Sequence, residues 1–209
     1  MRRSDKADAT LAADGVMMRP LTAARWPDLV ELFGPERGAS SGCWCMWPRM
    51  ARSEWKALGL DGRREAFHAI VEAGPPPGLL AYEGGTAIGW VAVGPRATVV
   101  RFQGAKVSRP VEAPAAPGPD GIHAITCFYI RSGHRKRGLM RPLAIAAVEF
   151  ARANGAMAVD VCAIEADRPL VWGDGFVGIA SVFRSLGFVE IARRSPRRPL
   201  MRLTLGRHG

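Results

Sequence analysis

The sequence predicts an α/β fold in which one mixed, mostly antiparallel sheet is flanked by helices. Three observations carry this expectation. Short apolar runs of strand length interleave with segments whose apolar residues recur every three or four positions. Gly84-Gly85 joins two such runs as a hairpin, because glycine supplies the positive φ of a tight turn. A strand, a basic glycine-containing loop and an amphipathic helix follow one another between residues 122 and 154. A mixed sheet covered by helices buries the apolar faces of such an order.

The elements are read in order as follows. Residues 16–20 (VMMRP) form a first strand, and Leu21 to Phe33 a helix with Thr22 as N-cap and Pro27 early, where its missing N–H is tolerated. Leu29, Leu32 and Phe33 make its apolar stripe, and Gly34-Pro35 ends it. Residues 34–52 are irregular. Short and longer helices cover 53–58 and 62–73, and the GPPPG run at 74–78 stops the second. The hairpin comprises 79–83 and 86–93. Residues 94–121 form an insertion with prolines at 95, 110, 114, 117 and 119, and long loops of this kind act as flaps or stay disordered. Ile122 to Ile130 is a strand, followed by a helix to about Asn154, a strand at 158–164, a loop at 165–176, a helix at 179–186 and two strands at 188–193 and 200–205. Residues 1–15 read as a disordered leader and 16–209 as one domain, which 209 residues accommodate.

Composition narrows the function classes. No apolar run reaches the roughly 20 residues of a membrane span, and the N-terminus lacks the apolar core of a secretory signal. Four cysteines (43, 45, 127 and 162) are too few for a disulfide scaffold, which points to reduced thiols and a cytoplasmic location. Cys43 and Cys45 make only half of a zinc site and lack its usual spacing, so no metal is expected. The formal charge of +10 calls for a polyanionic partner: nucleic acid, an anionic surface or a phosphorylated ligand.

The junction at 130–142 favours the last. A strand ends at Ile130 and a helix begins near Met140. The first N–H groups of that helix have no partners within it, and its dipole favours anions. Gly138 permits close backbone approach, while Arg135, Lys136, Arg137 and Arg141 add charge. These residues make a pyrophosphate cradle. Neither a G-x-x-x-x-G-K-S/T loop nor a G-x-G-x-x-G turn is present.

Arg135-Lys136-Arg137-Gly138-Leu139-Met140 resembles the acetyl-CoA motif Q/R-x-x-G-x-G/A of the GNAT superfamily of N-acetyltransferases. The preceding Phe128-Tyr129-Ile130, the alanine-rich helix PLAIAAVEFARANGA, the segment ASVFRSLGF at 180–188 and the opening VMMRPLTAARWPDLVELF also resemble family segments, in the same order. The resemblance covers about residues 16–205. It implies a GNAT-like single domain with acetyl-CoA as co-substrate, held by the backbone of Phe128, Tyr129 and Ile130 and by Arg135 to Arg141. It implies direct attack of an acceptor amine on the thioester. Two departures stand out: Met140 occupies a position where a small residue is usual, and Phe183 one that often holds a catalytic tyrosine.

Alternation places His123, Ile125, Cys127 and Tyr129 on one strand face. His123 suits proton transfer near neutral pH, or is a hydrogen-bonded edge histidine. Glu165 and Asp167 act through a water, or are solvated loop residues. Tyr129 and Ser181 are candidate proton donors to the departing thiolate. Cys127 is a nucleophile only with a lowered thiol pKa, and otherwise a small core residue. Trp44, Met46, Trp47 and Trp55 wall an acceptor pocket, apolar or cation-binding, or pack the small face of the domain. The arginines at 193, 194, 197, 198 and 202 contact the adenosine phosphate or form a solvated face. Two competing functions stand beside an N-acetyltransferase: a catalytically weak acyl-CoA sensor or scaffold, and a nucleic-acid-binding protein, although no signature of the latter is present. The acceptor is not legible, and neither is oligomeric state, for which a homodimer stays open.

Overall fold

The computed structural model describes residues 11–13, 15–34, 39, 42–111, 121–170 and 173–206. Eight strands form one sheet in the order β1-β2-β3-β4-β5-β6-β8-β7: β1 (Leu11–Ala13), β2 (Val16–Pro20), β3 (Gly78–Glu83), β4 (Thr86–Pro95), β5 (Ile122–Ile130), β6 (Ala158–Cys162), β7 (Val189–Arg193) and β8 (Pro199–Thr204). Every neighbouring pair is antiparallel except β5 and β6. A parallel pair needs a crossover, and α5 (Met140–Ala153) supplies it. The other helices are α1 (Trp26–Phe33), α2 (Arg52–Ala57), α3 (Gly59–Ala73), α4 (Val100–Gly104) and α6 (Ala180–Ser185). Among the described residues no helix is long and apolar enough to cross a membrane.

The central strands are buried because helices cover both faces of the sheet. Leu79 and Ala81 of β3 meet Leu143, Ala144 and Ala147 of α5 on one side. Leu80 and Tyr82, the alternate residues, meet Leu29, Leu32 and Phe33 of α1 and Phe67 of α3 on the other.

Four expectations change. Leu11–Ala13, expected within a disordered leader, pairs with Val16–Met18, while residues 1–10 and 14 lie outside the described residues. The first helix is delayed: Ala23–Arg25 form a 3-10 turn, α1 starts at Trp26, and Thr22 makes no side-chain cap bond. The described part of the 94–121 insertion is stitched to the sheet. Arg96 is buried and binds Asp160 and the carbonyl of Ser108, and its Nε donates to Gln103 Oε1 at 2.7 Å. Arg202 grips the same carboxylate at 2.6 and 2.9 Å. Finally, β5 does not alternate throughout. Ala92 pairs with Cys127 but Val93 with Ile125, so Thr126 is an extra residue in a bulge. Ile125 therefore packs with Phe128 toward α5, while Cys127 and Tyr129 face α1.

Candidate active site

The parallel pairing of β5 and β6 runs only from Ile122↔Ala158 to Ile125↔Val161. β5 continues to Ile130, so its second half has lost its neighbour on that side. The strands splay apart at the bulge, and the backbone of Thr126–Ile130 borders the opening. The basic loop follows directly. Lys136 and Gly138 adopt positive φ (61° and 78°), which coils the chain around the start of α5. Among the described residues no backbone acceptor takes the N–H of Arg137, Gly138, Leu139 or Met140. A Cβ built on Gly138 would meet nothing within 4 Å. Exposed donors, a helix N-terminus and open space fit a pyrophosphate.

The cations of the loop are not equivalent. Arg135 donates from Nε to the Ile130 carbonyl at 2.9 Å, and its guanidinium lies 5.9 Å from the Tyr129 ring centre, at the mouth of the opening. Arg141 is tied to Ser185 of α6. Arg137 turns to Glu83 on the hairpin, with contacts of 2.7 and 3.1 Å, and this carboxylate is held below its usual pKa chiefly by the Arg137 hydrogen bonds.

Two clefts meet at Gly173 and Phe176. The smaller, about 240 Å³, is lined by Phe128, Ile130, Arg135 and Met140. The larger, about 450 Å³, is lined mainly by Phe33, Trp47, Trp55, Thr126 and Cys127, with Arg198 at its wall. Phe176 stacks on Tyr129, their rings 6.4 Å apart and within 4° of parallel, and forms the partition. The splayed strand thus has the loop and small cleft at one end and an apolar chamber at the other.

Comparison with known proteins assigns the chain to a family. The model of the acetyltransferase (GNAT) family matches residues 44–171. The chain belongs to this family. No curated protein matches the sequence significantly. Among solved structures, the ribosomal-protein-S5-alanine acetyltransferase from Vibrio fischeri is similar with a TM-score of 0.55 at 12% identity, covering 94% of this chain and 97% of that one. A putative acetyltransferase from Salmonella typhimurium, with its cofactor acetyl-CoA, gives 0.52 at 17%, covering 93% and 96%. The PaiA N-acetyltransferase from Thermoplasma acidophilum, in complex with coenzyme A, gives 0.51 at 11%, covering 91% and 99%. At such identities these likenesses speak for the fold.

Both departures from the GNAT pattern have a structural account. Met140 Sδ accepts the N–H of Ile179 at 3.3 Å, so the long side chain ties α5 to the segment before α6. Phe183 is fully buried against Phe128 and Phe188, with ring centres 6.0 and 5.1 Å away. Gly178 is at φ +80°, and a Cβ there would come within 2.6 Å of the Phe183 ring. The ring is a core wedge and lines neither cleft.

The predicted catalytic residues are not brought together. His123 sits at the start of β5, six residues from Tyr129, or about 20 Å along the strand. It is buried, its Nδ1 has no partner among the described residues, and burial pushes its pKa down. Glu165 is clamped by Arg184 and Arg193, whose hydrogen bonds hold its pKa at about 2, and so deep a shift makes it a poor base. Asp167 pairs with Arg197 at 3.1 Å. Ser181 is exposed on α6, away from both clefts. Tyr129 is buried between Phe33 and Phe176. Cys127 lines the large cleft, but its hydrogen bond to Cys45 and its burial push the thiol pKa well up, opposite to what a nucleophile needs.

The four residues expected to wall an acceptor pocket divide. Trp47 and Trp55 line the large cleft and meet edge to face, 5.2 Å apart. Trp44 and Met46 are buried core, Trp44 lying between Trp26 and Phe33 at 5.9 and 5.8 Å. Sequence reasoning missed Phe33, Thr126, Phe176 and Arg198 as cleft residues. Phe33 carried only a helix-stripe signal, and Arg198 stood inside a basic run. That run is largely consumed internally: Arg193 on Glu165 and Glu190, Arg194 on the carbonyls of Arg109 and Pro110, Arg202 on Asp160.

Proposed function

We propose that the chain transfers the acetyl group of acetyl-CoA to an amine by direct attack on the thioester. The observation that supports this best is the continuity of the splayed β5 with the anion-binding loop at one end and the apolar chamber at the other. Acetyl-CoA fits as co-substrate. The N–H groups of Arg137 to Met140, with Arg135 and Lys136, hold its pyrophosphate, and the backbone of Phe128–Ile130 holds its pantetheine arm. It supplies an activated acyl thioester; the protein supplies position and a dry environment.

No His, Asp or Glu lines either cleft among the described residues. A base is not required if the amine enters neutral. Apolar walls penalise an ammonium and so lower the pKa of a bound amine. The proton then leaves through water at the open mouth. The thiolate departs without help from Phe183. Accordingly, Phe183→Tyr should not raise turnover, and should lower stability by about 1–3 kcal/mol because the buried hydroxyl finds no partner. Steady-state rates and thermal melts check both parts; faster turnover would show that this ring does reach the thiolate.

Release of CoA thiol from acetyl-CoA, followed with and without added amines, tests the proposal. Amine-dependent release, with an acetylated product by mass spectrometry, is the expected result. Acetyl-CoA binding without release to any amine would favour a sensor or scaffold.

A further inference from the structure

The larger cleft has an electrostatic sign, and it is positive. Arg198 reaches it from the turn before β8. Its Nε donates to the Ala163 carbonyl at 3.2 Å and its Nη2 to the Cys162 carbonyl at 2.9 Å, so the guanidinium is fixed at the end of β6. No carboxylate pairs with it among the described residues. A half-buried cation whose partners are two carbonyls and the Cys162 thiol, kept neutral by burial, is incompletely compensated.

Two further arginines stand behind the tryptophans. The Arg101 guanidinium lies 3.9 Å from the Trp47 ring centre and that of Arg63 lies 3.8 Å from Trp55. One face of each indole is thereby taken by a cation of the protein itself, which removes the argument that these rings await a cationic acceptor. The remaining wall, including Phe33, Cys43, Pro48 and Val177, is apolar.

Building on the acetyl-transfer reading, we infer that the acceptor is an apolar amine carrying a carboxylate, and that Arg198 receives the carboxylate. A planar guanidinium with donors in a fork matches that group. A phosphate dianion would call for more donors than one arginine in an apolar chamber. Polyamines and other polycations are disfavoured, because they would enter facing the Arg198 guanidinium, with two more arginines behind the tryptophans and no acid among the described lining residues to meet them. The apolar wall takes the body of the acceptor, and the amine is left toward Thr126 and Cys127, where the splayed strand lies.

Matched probes test this. CoA release is measured with L-tryptophan against tryptamine, L-phenylalanine against phenethylamine, and with spermidine, in wild type, Arg198→Gln and Arg198→Lys. The carboxylated member of each pair should have a kcat/KM at least about tenfold higher, since a hydrogen bond to a charged group is worth about that factor or more, with spermidine poorest. Arg198→Gln should bring the ratio within each pair toward one, mainly through KM, and Arg198→Lys should restore part of it. Equal or better use of the decarboxylated amines, a preference for spermidine, or an unchanged ratio in Arg198→Gln would overturn the inference. So would transfer to none of the probes while acetyl-CoA still raises the melting temperature, which leaves the acetyl-CoA site standing. Failure to bind acetyl-CoA at all would remove the underlying reading as well.

Discussion

Gly138→Asp is expected to weaken acetyl-CoA binding by about 100-fold, or about 2.8 kcal/mol. Gly138 lies at φ +78° in the anion loop with open space above it. An aspartate tolerates left-handed backbone better than most residues, so the loop should keep its path. Its carboxylate, however, would stand where a phosphate must approach, beside the unpartnered N–H groups at the start of α5. It would satisfy those donors from within and repel the ligand. Calorimetric titration gives the affinity, and a melt without ligand separates this from unfolding. Gly138→Ala adds only a methyl group and should lose far less. Equal losses in the two variants would mean that backbone strain, not charge, is responsible.

The second large effect concerns stability. Asp160→Ala should destabilise the protein by about 3–5 kcal/mol, since removing one partner of a buried ion pair strands the other. Here it strands two: Arg96 and Arg202, both buried, lose the carboxylate they share. The insertion then loses its anchor on β6, because Arg96 is also what binds Ser108 and Gln103. At roughly 2–4 °C per kcal/mol for a domain of this size, the melting temperature should fall by about 6–20 °C. A fall of only a degree or two would show that water replaces the carboxylate. Faster proteolysis between residues 96 and 111 than elsewhere would locate the loosening.

Local signals made the strands, the helices and the basic loop between β5 and α5 legible. The alternation of β2, the Gly84-Gly85 turn and the apolar stripe of α5 each lie within a few residues of sequence and report on their own burial. The basic loop was legible for the same reason, since Gly138, its flanking cations and the helix start are contiguous. What escaped depends on residues far apart in the chain. That Arg96 would reach Asp160, 64 residues away, is set by the end of β4 being brought beside the middle of β6 by the strand between them. The Thr126 bulge arises from pairing with β4, and it reverses which face of β5 looks toward α1; an alternation count cannot register it. Glu165 reads as a loop carboxylate until Arg184 and Arg193 are folded against it. The same holds for the tryptophans: Trp44 and Trp47 are three residues apart, yet one is core and the other lines a cleft.

The central claim is that the loop after β5 is an acetyl-CoA site. Thermal stability with and without saturating acetyl-CoA, with ATP and NAD as controls, tests it most directly, because a ligand that binds only the folded state raises its stability by mass action. At 100 times Kd the gain is about 2.7 kcal/mol, so a rise of several degrees with acetyl-CoA, absent with ATP and NAD and lost in Gly138→Asp, is the predicted result. No shift with acetyl-CoA, or an equal shift with all three ligands, would contradict the assignment of the loop.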